Sequence, residues 1–186
     1  MSGVLPGQAI LKNSSFDQKN IWQDASLSQK EGHFSASKFT EDQTGNNCLK
    51  LELKKLVNGQ VGCILLIGKD GKKTGFPAKP ETTYEFSFEV KGTVPNVICG
   101  AVLYHNNEAS WKPGASKRIK TTLNGFQTPA EWTQFKGSFR TEKNTIRAVL
   151  ILQLWANEER AKNWHPGQYL LLDKVSIREQ KTATQK

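Results

Sequence analysis

The chain has no apolar run approaching the roughly 20 residues a helix needs to cross a bilayer, which argues against a helical membrane span. Its opening, MSGVLPGQAI, lacks a basic segment followed by a long apolar one and does not read as a secretory leader. Helical periodicity is almost missing, and no arginine-rich tract or nucleic-acid motif is present. Cysteine is sparse: Cys48, Cys63 and Cys99 show no metal-type spacing, and an odd number cannot all pair within the chain. Their apolar settings point to buried free thiols, with a Cys48–Cys63 bridge left open if their strands are neighbours. Histidine is equally sparse, and His33, His105 and His165 form neither HxH nor HExxH. No Ser–His–Asp or Cys–His arrangement stands out. Glu85 and Glu89 share a strand face four residues apart, hence roughly 13 Å. A glycosidase places its two carboxyl groups about 5–10 Å apart across the scissile bond.

Positive charge is plentiful. The formal net charge is +9, with lysines gathered between residues 49 and 79 and again near the C-terminus. Such a surface is either simply solvated or attractive to a polyanion. The apolar residues fall into short runs separated by turns. Residues 48–53 (CLKLEL) and 83–92 (TYEFSFEVKG) alternate apolar and polar side chains, the signature of half-buried strands. Residues 61–68 (VGCILLIG) are continuously apolar, as in a strand covered on both faces. Residues 96–105, 132–140, 146–155 and 169–179 complete the set, with a polar loop from 105 to about 118. The segment ANEERAKNW has no apolar stripe and reads as loop with one helical turn at most. Short strands with turn signals between them along 186 residues predict an all-β fold, a two-sheet antiparallel β-sandwich or jelly roll. The expected organisation is a flexible segment over residues 1–9, one module over 10–179, and a disordered tail over 180–186.

Four motifs, in order, resemble one family. ILKNSSFD near the start, PETTYEFSFEVKG in the middle, and EWTQFKGSF and YLLLDKVSI toward the end are similar to carbohydrate-binding modules of families 4, 9, 16 and 22. The resemblance covers residues 10 to 178. It implies a β-jelly-roll whose concave face accepts a glycan chain, an extracellular or cell-surface setting, and no catalysis of its own. Such modules commonly tether a glycoside hydrolase to its substrate. The resemblance also places Asp17 and Asp173 at calcium-liganding positions, with carbonyls near Asn13 and in the TGNNC turn completing the cage. Calcium takes six to eight hard oxygen ligands, so carboxylates and strand-end carbonyls suit it. Lys174 stands where the family often has a second aspartate. Trp22 falls where related modules place a groove aromatic, and Trp132 matches a structural tryptophan.

The strand ending at Trp155 carries the sharpest reading from residues alone. Period two puts Ala148, Leu150, Leu152 and Leu154 on one face and Arg147, Val149, Ile151, Gln153 and Trp155 on the other. With the leucines inward, Gln153 and Trp155 stand side by side facing out. A pyranose offers an apolar C–H face and a rim of hydroxyls, so an indole to stack on and an amide to hydrogen-bond form a matched pair. Further groove candidates are Trp164 in the following loop, Tyr104 or its neighbour His105 at a strand end, and Trp111 in a polar loop. Arg147 suits a carboxylate-bearing sugar. The expected partner is therefore a polysaccharide or oligosaccharide, neutral or acidic, rather than nucleic acid or membrane. Two other readings stay open: an adhesion or protein-interaction domain with an acidic partner, and a small polysaccharide lyase using Tyr104, His105, Gln153 and Arg147.

Overall fold

The structure, a computed structural model, describes residues 10–11, 25–29, 32–41, 46–68, 73–109 and 114–180. The described strands are β1 (Ala25–Gln29), β2 (Phe34–Glu41), β3 (Asn46–Leu53), β4 (Val61–Ile67), β5 (Phe76–Pro77), β6 (Thr83–Gly92), β7 (Val97–Tyr104), β8 (Ser116–Phe126), β9 (Thr133–Arg140), β10 (Arg147–Ala156) and β11 (Tyr169–Glu179). They form two antiparallel sheets. One runs β1-β4-β10-β7-β8, with short β5 also paired to β10; the other runs β2-β3-β11-β6-β9. This is the β-sandwich that the alternating runs predict.

Each sheet turns its apolar side chains inward. In β6, Tyr84, Phe86, Phe88 and Val90 are buried while Thr83, Glu85, Ser87 and Glu89 are only half-buried. From β10 the inward set is Ala148, Leu150, Leu152 and Leu154, which join Leu65, Leu103, Leu172 and Ile177 in one core. Burial of each such side chain contributes about 1.5–3 kcal/mol. One side of the sandwich is closed by contacts between β8 and β9: Phe126 stacks on Phe135 at 4.4 Å, and the Ser138 amide donates to Thr122 Oγ1 at 2.8 Å. Near the start of the chain, the Ile10 amide donates to the Ile177 carbonyl at 3.1 Å, which lays residue 10 beside β11.

Four strands were not legible beforehand, β1, β2, the two-residue β5 and β8. β8 occupies SKRIKTTLNGF, part of which reads as polar loop. It is an edge strand paired only to β7, so much of its surface faces water and its sequence need not alternate. β1 and β2 are likewise edges of their sheets. The segment after β10 contains a single 3-10 turn, Arg160–Asn163, in agreement with one turn at most. Cys48, Cys63 and Cys99 are buried and form no disulfide; Cys48 and Cys63 lie in different sheets. Of the expected flexible segments 1–9 and 180–186, residues 1–9 and 181–186 lie outside the described residues, while the Gln180 amide donates to the Thr83 carbonyl at 2.9 Å.

Candidate functional site

The outward face of β10 is divided along its length. At the Arg147 end it is sealed: Val149 and Ile151 join Leu66, Val102, Tyr104 and Ala109 in a second, smaller apolar cluster outside the sandwich. At the other end it opens. Gln153 is half-buried and Trp155 is 39% exposed, leaving Trp155 and Ile146 as the large apolar side chains open among the described residues. The ladder explains the gradient. One rung reads Ser26–Leu66–Ile151–Gly100 and the next Ser28–Ile64–Gln153–Ile98, so the face turns from apolar to polar. Opposite Trp155 stands Gly62, which has no side chain to cover the indole; a Cβ there would sit 3.9 Å from the ring.

Around this end lies a cleft of about 510 Å³. β1 supplies Ser28 and Gln29, the loop before β2 supplies His33, β4 supplies Gly62 and Ile64, and β10 supplies Gln153 and Trp155. The rim is the β3–β4 connection, where Val57 and Gln60 exchange backbone hydrogen bonds of 3.1 and 2.9 Å across Asn58 and Gly59. Both central residues have positive φ, 48° and 69°, the geometry of an Asn-Gly hairpin turn. The Gln29 carboxamide is committed to structure: it donates to the Phe34 carbonyl and accepts from the Phe34 amide, each at 2.7 Å. The Gln153 Oε1 atom and the His33 Nδ1 atom are buried without a hydrogen-bond partner. Among the described residues lining the cleft none is Lys, Arg, Asp or Glu. Cys63 also borders it, but its side chain belongs to the core, and burial pushes that thiol up to about 12.

Of the residues predicted from sequence, the fold brings Gln153 and Trp155 together on one open face and sends others elsewhere. Trp164 is 2% exposed and packs edge-on against Phe34 at 6.5 Å; it is core, not groove wall. Tyr104 is fully buried in the outer apolar cluster and offers no ring face to a sugar. Arg147 is 4% exposed and donates to the carbonyls of Thr74 and Gly75, so it holds that loop instead of facing a carboxylate. His105 sits beside Gly114 O at 3.3 Å and Glu142 at 3.8 Å. Gln153 lies six residues from Arg147, roughly 20 Å along the strand, so the four residues of the lyase reading do not converge. Trp132 is half-buried. Trp22, Trp111 and Asp17 lie outside the described residues. Asp173 is 1% exposed, at an irregularity of β11 where its Oδ1 accepts from the Lys174 amide at 2.7 Å. A buried carboxylate is a hard oxygen donor of the kind calcium takes, yet it is one ligand of the six to eight required. Among the described residues no group of three His, Cys, Asp or Glu could hold a metal ion.

A second hollow of about 550 Å³ lies on the outer face of the other sheet, lined by residues such as Ser87, Lys136, Ser138 and Arg178. Its aromatic, Phe86, belongs to the buried core, and Arg178 is paired with Glu85 at 3.1 Å. It offers no stacking surface, which leaves the Trp155 cleft as the better site.

The site is thus an open indole and a carboxamide on successive outward positions of one strand of an antiparallel β-sandwich. Residues 74–171 match the family model described as carbohydrate binding domain, of types 4 and 9, and the chain belongs to that family. No curated protein matches it by sequence. Among solved structures, it is similar to the CBM22-1 xylan-binding domain from Paenibacillus barcinonensis, with 15% identity and a TM-score of 0.59, covering 97% of this chain and 100% of that one. It is similar to TmCBM61 in complex with β-1,4-galactotriose, with 16% identity and a TM-score of 0.53, covering 94% and 100%. The tailspike protein 4 of bacteriophage CBA120 also contains this fold, at 12% identity and a TM-score of 0.59; the match covers 92% of this chain and 21% of that one. Among the described residues no helix is long and apolar enough to cross a membrane.

Proposed function

We propose that the chain binds a neutral polysaccharide in the Trp155 cleft, without catalysis, outside the cell, and serves to hold an attached or partner enzyme at its substrate. The observation that carries this reading is Trp155 standing exposed beside Gln153, whose amide oxygen lacks a partner. An aromatic contact contributes about 0.5–1.5 kcal/mol and each hydrogen bond about 1 kcal/mol net. Two or three such contacts sum to about 2–4 kcal/mol, binding that is roughly millimolar or weaker and that suits a tethered module. The uncharged lining favours a neutral sugar over an acidic one, despite the basic surface. The printed ligands of the structural relatives, xylan and β-1,4-galactotriose, make β-1,4-linked pyranose chains the first to try.

Affinity gels containing xylan or β-1,4-galactan test the reading. Retention of the wild-type chain, lost in Trp155→Ala, is the expected result; equal retention of both proteins removes the cleft assignment. Asp17 and Asp173 are proposed to hold a structural calcium that fastens the beginning of the module to β11, supported by the burial of Asp173.

A further inference from the structure

We infer that His33 is a sugar-recognition residue of the cleft, gripping with Gln153 the hydroxyls of a pyranose stacked on Trp155. This rests on the polysaccharide reading above and adds a residue that no sequence motif marks. His33 is 7% exposed, and its backbone carbonyl accepts the Lys54 amide at 2.7 Å, which fixes the imidazole's root at the cleft wall. Its Nδ1 bonds to nothing. A buried polar atom without a partner is unfavourable, so a ligand that supplies the missing bond is favoured there. The same cleft holds a second such atom, Gln153 Oε1. Two unsatisfied atoms in one uncharged cleft, beside an open indole, are explained together by a ligand that supplies the missing bonds.

The chemistry is complementary. The carboxamide oxygen accepts and the imidazole nitrogen donates or accepts by tautomer, so a hydroxyl pair satisfies both. Neither atom reaches solvent in the free chain. Each meets the sugar by a turn of its terminal ring or carboxamide, a torsion with a broad, low-cost profile. Among the described residues lining the cleft, no carboxylate competes for the imidazole.

His33→Phe and His33→Asn in the full chain separate recognition from packing, read on xylan and β-1,4-galactan gels. Phenylalanine keeps a flat ring but no polar atom, whereas the asparagine amide nitrogen falls near the place of Nδ1. The expected result is a roughly fivefold to tenfold weaker retention for His33→Phe, with His33→Asn staying within about twofold of wild type. Because Nδ1 bonds nothing in the free protein, neither variant should melt more than about 3 °C below wild type, and His33→Phe, which removes the unsatisfied atom, should melt no lower than it. Retention unchanged in His33→Phe but lost in Trp155→Ala overturns this inference and leaves the cleft reading standing. A wild-type chain retarded by neither gel overturns both.

Discussion

Gln153 keeps its carboxamide oxygen out of water with nothing to bond. If that arrangement serves a ligand, removing the amide should harm binding and spare the fold. Gln153→Leu, close in shape, is expected to hold or raise stability by up to about 1 kcal/mol while weakening polysaccharide retention, checked by urea unfolding alongside affinity gels. The buried thiols give a second residue-scale expectation. Burial raises Cys63 from an ordinary 9.0 to about 12 and Cys99 to about 11. A group raised on folding contributes stability fully below its unfolded value and loses it as pH climbs through the folded one. The native protein should therefore be unreactive to thiol reagents near pH 8 and should loosen between about pH 9 and 12, followed by thiol titration and fluorescence. Legibility at this scale was uneven. Trp155 and Gln153 were readable because period two fixes which way a strand residue faces. Trp164 was not, since its burial depends on Phe34, about 130 residues earlier, coming into contact across the fold. His33 is a lone histidine between strands and carries no pattern at all.

Strands and turns carry their own constraints. In β9, Gly137 lies across from Phe86, whose ring covers the place where a Cβ would be: the built Cβ would meet Cζ at 2.5 Å. Gly137→Ala should cost about 1–3 kcal/mol through overpacking, measured as a lower denaturation midpoint. At the cleft rim, Gly59 holds φ +69 and its built Cβ would meet Glu158 at 3.1 Å. Gly59→Val should cost about 1–2 kcal/mol and loosen the rim, so binding should weaken as well. The central strands were legible because both neighbours and one or both faces constrain them; β6, β10 and β11 match the expected residues within one position. Edge strands β1, β2 and β8 escaped because solvent tolerates polar residues along much of their surface. The sealing of the outer face at Val149 and Ile151 also escaped, since alternation says which side a residue faces but not what then packs over it.

For the molecule as a whole, net charge and the Trp155 cleft are separated. The chain carries +9, while the described residues lining the cleft are uncharged. Polysaccharide retention should therefore hardly change between about 50 and 500 mM salt, although charges beyond a Debye length of about 8 Å at physiological strength are screened; a steep fall would favour an acidic partner on the lysine surface instead. Calcium is expected to act on stability. If Asp17 and Asp173 share an ion, calcium at a hundredfold excess over Kd should raise the thermal midpoint by roughly 5–10 °C, and a chelator should reverse it. An unchanged melt removes the metal from the account. The overall architecture was legible from turn spacing and alternation; calcium was suggested by the family resemblance alone, because its proposed ligands come from distant parts of the chain.

The two sides of β10 have one further consequence. Leucines line one side and Gln153 with Trp155 the other, on the same backbone ladder. Inserting or deleting a single amino acid ahead of Gln153 would interchange the sides, driving an amide and an indole into the hydrophobic interior. Point changes at positions 62, 153 and 155 leave the leucine side where it is. The outward face is thus open to redesign by exchange of side chains, whereas length changes in that strand are closed to it.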